Sequence, residues 1–141
     1  MSNQKVAVVT GSSSGIGLET SLLLARNGFQ TFATMRNLSK SSVIESIAEK
    51  EGLPLHVVEL DVNDANSVTT AIQQILSKAG RIDVLINNAG YSLAGALEDL
   101  SIDELKAQFE TNLFGVVRAT QAVLPTLRSQ GSGIIVNVST L

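Results

Sequence analysis

The segment Val6-Ala7-Val8-Val9-Thr10-Gly11-Ser12-Ser13-Ser14-Gly15-Ile16-Gly17 runs from an apolar, β-branched stretch straight into a turn of glycine and serine. A short continuous apolar run reads as a strand buried on both faces. Residues 15–27 follow at helical spacing, and Gly28 supplies a left-handed stop. Gly11 permits the tight turn, and Gly15 lets the backbone approach a pyrophosphate with no Cβ in the way. Gly17 allows close packing of helix on strand. The first helical turn then offers N–H groups and the positive end of its dipole to an anion. Ser13 adds a hydroxyl donor, and Ser14 and Ile16 complete the loop. The alternative is an ordinary Gly/Ser turn, but its place between strand and helix favours a nucleotide site.

Working outward, short β-branched runs alternate with amphipathic stretches. Strands are predicted at 31–35, 55–60, 84–87 and 134–138. One helix runs from Ser41 or Ser42 to about Glu51, and another from Asp64 or Asn66 to Ala79, closed by Gly80. Ser101 begins a long fourth helix, with Glu104 at the spacing of a capping box. Leu105, Phe109, Leu113, Val116, Val117, Thr120, Val123, Leu124 and Leu127 predict a single apolar face there. Pro125 is expected to bend that helix or end its regular part. Five strands alternating with four helices predict an α/β, doubly wound parallel sheet of the Rossmann type. No linker or repeat divides the 141 residues, so one domain is expected.

Composition narrows the function. The net charge is −3, with 44% apolar and 16% charged residues and no cysteine. Without clustered Lys and Arg there is no footing for nucleic acid. The absence of Cys removes disulfides and thiolate zinc sites, and no metal site is expected. The longest apolar runs are too short to span a membrane, and a cytoplasmic location is expected. The second strand ends in Ala33-Thr34-Met35-Arg36-Asn37, with no carboxylate to hold a ribose 2′-hydroxyl. Arg36 can instead pair a 2′-phosphate, so NADP is favoured over NAD.

These motifs together resemble the short-chain dehydrogenase/reductase family over the whole chain. The matches are the glycine loop at 10–17, Leu60-Asp61-Val62, Asn87-Asn88-Ala89-Gly90, Asn112-Leu113-Phe114-Gly115 and Ile134-Ile135-Val136-Asn137-Val138-Ser139. The resemblance implies that Asp61, beside Val62, holds the adenine ring, although an Asp after a strand is also a common turn residue. It implies that Asn87 ties the sheet together, and that Asn88, Ala89 and Gly90 line the nicotinamide ribose. The activity implied is hydride transfer between nicotinamide and an alcohol or carbonyl substrate. In that chemistry Asn112 holds a water of the proton relay, and a Ser at the end of the fifth strand orients the carbonyl. The second residue of the pair Ser139-Thr140 falls on the catalytic position, so Thr140, or else Ser139, takes that role.

The family's Tyr-x-x-x-Lys is absent. The single tyrosine is Tyr91, and Gly95 stands four residues later. The expectation is therefore a cofactor-binding half, incomplete on its C-terminal side and inactive alone, or else a non-catalytic NADP-binding or subunit-interaction module. Without further elements beside it, the fifth strand is an open edge with Ile134, Ile135 and Val136 poorly covered. Association into a homo-oligomer through that strand or the long helix is expected. His56 reads as structural, and Glu98, Asp99, Asp103 and Glu104 as partners of a helix dipole. Tyr91 reads equally as a substrate-mouth residue or a packed loop aromatic.

Overall fold

The computed structural model of the chain describes residues 3–139. Strands β1 (Val6–Val9), β2 (Gln30–Met35), β3 (Leu55–Glu59), β4 (Val84–Asn87) and β5 (Ile134–Asn137) form one parallel sheet in the order β3-β2-β1-β4-β5. The helices are α1 (Gly15–Arg26), α2 (Ser42–Glu51), α3 (Ala65–Ala79), α4 (Ile102–Phe109) and α5 (Gly115–Gln130). From β1 the chain builds outward through β2 and β3, then returns to the other side of β1 for β4 and β5. The strand order therefore reverses between β1 and β4, and a crevice opens beyond their carboxyl ends.

Alternation along the strands feeds two cores. Val6, Val8, Phe32 and Leu85 pack with Val68, Ile72 and Ile75 of α3 and Val123 of α5. Ala33 and Met35 pack on the other face with Leu22 of α1 and Ile44 of α2. Burying a side chain such as Phe32 or Ile75 stabilises by about 1.5–3 kcal/mol each. The caps of α3 and α4 follow the sequence reading, whereas Ser41 precedes α2 without a side-chain cap bond and donates to the Glu45 carboxylate instead. Asp64 accepts from the N–H groups of Asn66 and Ser67, and Ser101 and Glu104 close a capping box. Hydrogen bonds from the Ser101 backbone and side chain hold the Glu104 carboxyl below its ordinary range.

At the amino end of the sheet, Asp83 is buried beneath β1 and β4. It accepts from the Val6 N–H at 2.8 Å and from both Arg81 guanidinium donors, with Lys5 at 3.6 Å. Burial pushes its carboxyl up, but the Arg81 hydrogen bond, the Val6 N–H and the charges of Arg81 and Lys5 outweigh this and hold it low. Gln130 clasps the same end, donating to the Ile82 carbonyl at 2.6 Å and accepting from the Ile82 N–H at 3.1 Å.

The fourth helix departs from expectation. It is not continuous: a π turn over Glu110–Phe114 separates α4 from α5. Its buried stripe is Gly115, Ala119, Val123 and Leu127, while Phe109, Leu113 and Val117 are exposed. The small residues let the helix seat closely, since a Cβ on Gly115 would lie 2.7 Å from Val62 Cγ2. Pro125 does not end the helix, which continues to Gln130. Pro125 and Gln121 are both exposed, so the carbonyl that loses its partner can bond to water. On β5, Ile134 and Val136 are exposed as expected, whereas Ile135 packs against the core beneath α3 and α5.

Candidate functional site

The crevice is a cleft of about 1190 Å³. Its floor is the meeting of two turns, one after β1 and one after β4. The Thr10 hydroxyl accepts from the N–H groups of Asn88 and Ala89 at 3.0 and 2.9 Å. The Asn88 amide donates to the carbonyls of Thr10 and Gly11 at 3.2 and 3.1 Å. Gly11 has φ +66°, and a Cβ on it would lie 2.8 Å from Ala89 Cα. A Cβ on Gly17 would overlap the Gly11 carbonyl oxygen and sit 2.5 Å from Asn88 Nδ2. Gly17 thus makes room for the turn and for Asn88, where packing of helix on strand was expected. Gly15 has φ +57°, and a Cβ there would meet nothing. Its side of the loop faces open space, as a cradle for a ligand backbone requires.

Ser14 precedes α1 without capping it by a side-chain hydrogen bond. The first N–H groups of α1, beside Ser13, Ser14 and Ile16, remain available to an anion at the cleft. Arg36 follows β2, is exposed at the cleft, and makes no ion pair among the described residues. Asp61 and Val62 line the cleft after β3, the strand next to β2. One Asp61 oxygen accepts from the Asn63 N–H at 2.9 Å, so the residue shapes a turn and still lines the cleft. These observations fit a dinucleotide: a cradle that side chains would fill, an open helix terminus, and a cation and a carboxylate after the adjacent strands β2 and β3.

The remaining residues lie around the carboxyl ends of β4 and β5. Asn87 does tie the sheet: its amide donates to Thr120 Oγ1 at 3.1 Å and Asn137 Oδ1 at 3.0 Å. Asn88, Ala89 and Gly90 line the cleft, and the Asn88 side chain is committed to the glycine loop. Asn112 sits in the π turn. Its amide accepts from the Tyr91 N–H at 3.0 Å and donates to the Tyr91 carbonyl at 2.8 Å. A π turn inside a helix frequently marks a functional position. Ser139 lines the cleft, and Thr140 lies outside the described residues. His56 stacks on Phe32 with ring centroids 5.3 Å apart, and burial and the nearby Lys78 hold its imidazole below the ordinary range. That is a structural role.

Asn63 and Thr111 line the cleft, and Thr10 and Arg118 brace the turns around it; sequence reasoning assigned none of them a role. The bonds Thr10–Ala89, Asn63–Thr111 and Arg118–Val62 span 79, 48 and 56 residues, a distance no local pattern covers.

A doubly wound sheet with a glycine cradle at its switch point defines a Rossmann-type α/β protein. The model of the short chain dehydrogenase family matches residues 5–141, and the chain belongs to that family. It is 39% identical over 141 residues to an uncharacterized oxidoreductase, YusZ, of Bacillus subtilis, covering 99% of this chain and 50% of that protein. It is 43% identical over 141 residues to retinol dehydrogenase 8 of Bos taurus, covering 97% of this chain and 45% of that protein. A crystal structure of actinorhodin polyketide ketoreductase with NADPH superposes with a TM-score of 0.93 at 31% identity, covering 98% of this chain and 54% of the other. The chain spans about half the length of the curated relatives it matches. Among the described residues no helix is long and apolar enough to cross a membrane.

Proposed function

We propose that this chain is the cofactor-binding part of an NADP-dependent oxidoreductase that acts on a small alcohol or carbonyl substrate in the cytoplasm. Arg36 carries the reading. It is a cation with no ion pair among the described residues, just after β2, where an NAD site would place a carboxylate. The ketoreductase structure with NADPH supports the same cofactor.

The residues divide the work. Gly11, Gly15 and Gly17 and the start of α1 hold the pyrophosphate, Ser13 and Arg36 hold the 2′-phosphate, and Asp61 and Val62 hold the adenine. Ala89 and Gly90 flank the nicotinamide ribose. Bound there, the nicotinamide supplies or accepts a hydride at C4. Ser139 or Thr140 orients the carbonyl by its hydroxyl. The Asn112 side chain is engaged at both ends by Tyr91. Its relay role would therefore use the backbone carbonyl, with the amide fixing the turn. No Tyr-x-x-x-Lys lies in these 141 residues to move the proton, so the chain alone does not turn over.

A second reading, a non-catalytic NADP-binding or subunit-interaction module, is favoured by exposed apolar side chains. Ile134 is 60% exposed and Phe109 55%. The same surfaces support a homo-oligomer through β5 or the helix α4–α5.

Calorimetric titration tests the cofactor reading. NADPH should bind at least about tenfold more tightly than NADH, and Arg36→Ala should remove that preference. Equal binding of both cofactors would overturn NADP selectivity, and binding of neither would overturn the cofactor reading. Turnover of carbonyls with NADPH by this chain would overturn its inactivity.

A further inference from the structure

The π turn is gripped from both sides. We propose that Asn63, Thr111 and Arg118 form a positioning link that sets the π turn carrying Asn112 from the loop that the adenine end of a dinucleotide would occupy. The inference rests on the cofactor reading above.

Asn63 and Thr111 bond reciprocally. The Asn63 amide donates to Thr111 Oγ1 at 2.9 Å, and the Thr111 hydroxyl lies 3.1 Å from Asn63 Oδ1. Arg118, just beyond the turn, donates to the Val62 carbonyl and to the Glu110 carboxylate. Gly115 seats the helix backbone against Val62. Val62 and Asn63 are therefore held by residues at the start of the π turn and past its end. Asp61 enters the same unit, because its carboxylate accepts from the Asn63 N–H. On the opposite side, Asn112 holds Tyr91 through both amide atoms. One short helical segment thus joins the loop after β3 to the loop after β4, and both loops line the cleft.

The joint can respond to a ligand. Asn63 and Asn112 are exposed, so water competes for the bonds that hold the turn. A π turn is itself a rare conformation within a helix. A ligand that orders residues 61–63 would order the turn through these bonds, and coupling of that kind is reciprocal.

The test uses the full chain and adenosine 2′,5′-bisphosphate, which lacks the nicotinamide half. Amide hydrogen exchange is followed with and without it. Saturation should slow exchange at 61–63, and also at 111–115 by about fivefold. Thr111→Val and Arg118→Met should abolish the second effect and spare the first, and Thr111→Ser should restore it. Slowing at 61–63 with none at 111–115 would overturn the link alone. So would slowing at 111–115 that persists in both Thr111→Val and Arg118→Met. No slowing anywhere would overturn the cofactor reading and the link with it.

Discussion

The seam between β1 and β4 and the seam between β4 and β5 have the same parallel ladder and different protection. At the first, the strands lie within the sheet, the turns above them are bound by Thr10 and Asn88, and Asp83 closes the other end. At the second, β5 is the edge strand of the described sheet. Beyond the ladder its ties include the Asn87–Asn137 amide pair, the Val138 N–H bonded to the Asn87 carbonyl and the Ile134 N–H bonded to the Asp83 carbonyl. Ile134 and Val136 remain exposed beside it. Fixed shape is concentrated at the first seam. A cofactor cradle must exist before its ligand arrives, so its backbone is held by polar bonds to the buried Thr10 and the partly buried Asn88, whose loss is costly. The β5 side has its ladder, these few bonds, and apolar cover at Ile135 while Ile134 and Val136 stay exposed.

Thr10→Val should give the largest effect. Valine matches the shape but leaves the N–H groups of Asn88 and Ala89 without their acceptor. A loss of about 2–3 kcal/mol is expected in urea unfolding, with NADPH affinity falling as well. A loss below about 0.5 kcal/mol would mean that the turns hold each other by other means.

Asp83→Asn probes the far end of the same seam and should cost about 1 kcal/mol at neutral pH, since Arg81 and Lys5 are partly open to water. Its sign with pH is fixed. The folded carboxyl lies below its unfolded value, so the unfolded state binds more protons between the two. The stabilisation is complete above about pH 4 and disappears as pH falls through the lower, folded value. The gap between wild type and Asp83→Asn should therefore close on acidification. A gap that widens toward low pH would remove Asp83 as an ion-pair anchor.

The two seams were unequally legible in the sequence. Val6–Val9 and the glycine spacing after it announce a buried strand and a phosphate turn, because periodicity and glycine positions are local signals. The sheet's strands and the capping residues Asp64 and Ser101 follow from the same kind of signal. The π turn does not. Residues 105–127 carry apolar side chains at helical spacing all the way through, and only the seating of Gly115 on Val62 selects which of them are buried. Asn88 shows the same limit. Its place in Asn87-Asn88-Ala89-Gly90 put it at the cleft, but its use as a clamp on Gly11 depends on a contact 77 residues away.

Ile134→Thr gives the smallest expected effect on stability and sharpens the contrast most. The side chain is 60% exposed, so replacing it removes little buried area. At the β1–β4 seam, by contrast, a change from hydroxyl to methyl at Thr10 should cost several times more. Unfolding stability should shift by less than about 0.5 kcal/mol, because threonine keeps the β-branched backbone preference of the strand. Self-association should respond instead. If β5 is the surface through which copies meet, sedimentation of Ile134→Thr at high concentration should shift toward the monomer. An unshifted oligomer would move the interface to Phe109, Leu113 and Val117 on the helix, and a monomeric wild type would remove self-association altogether.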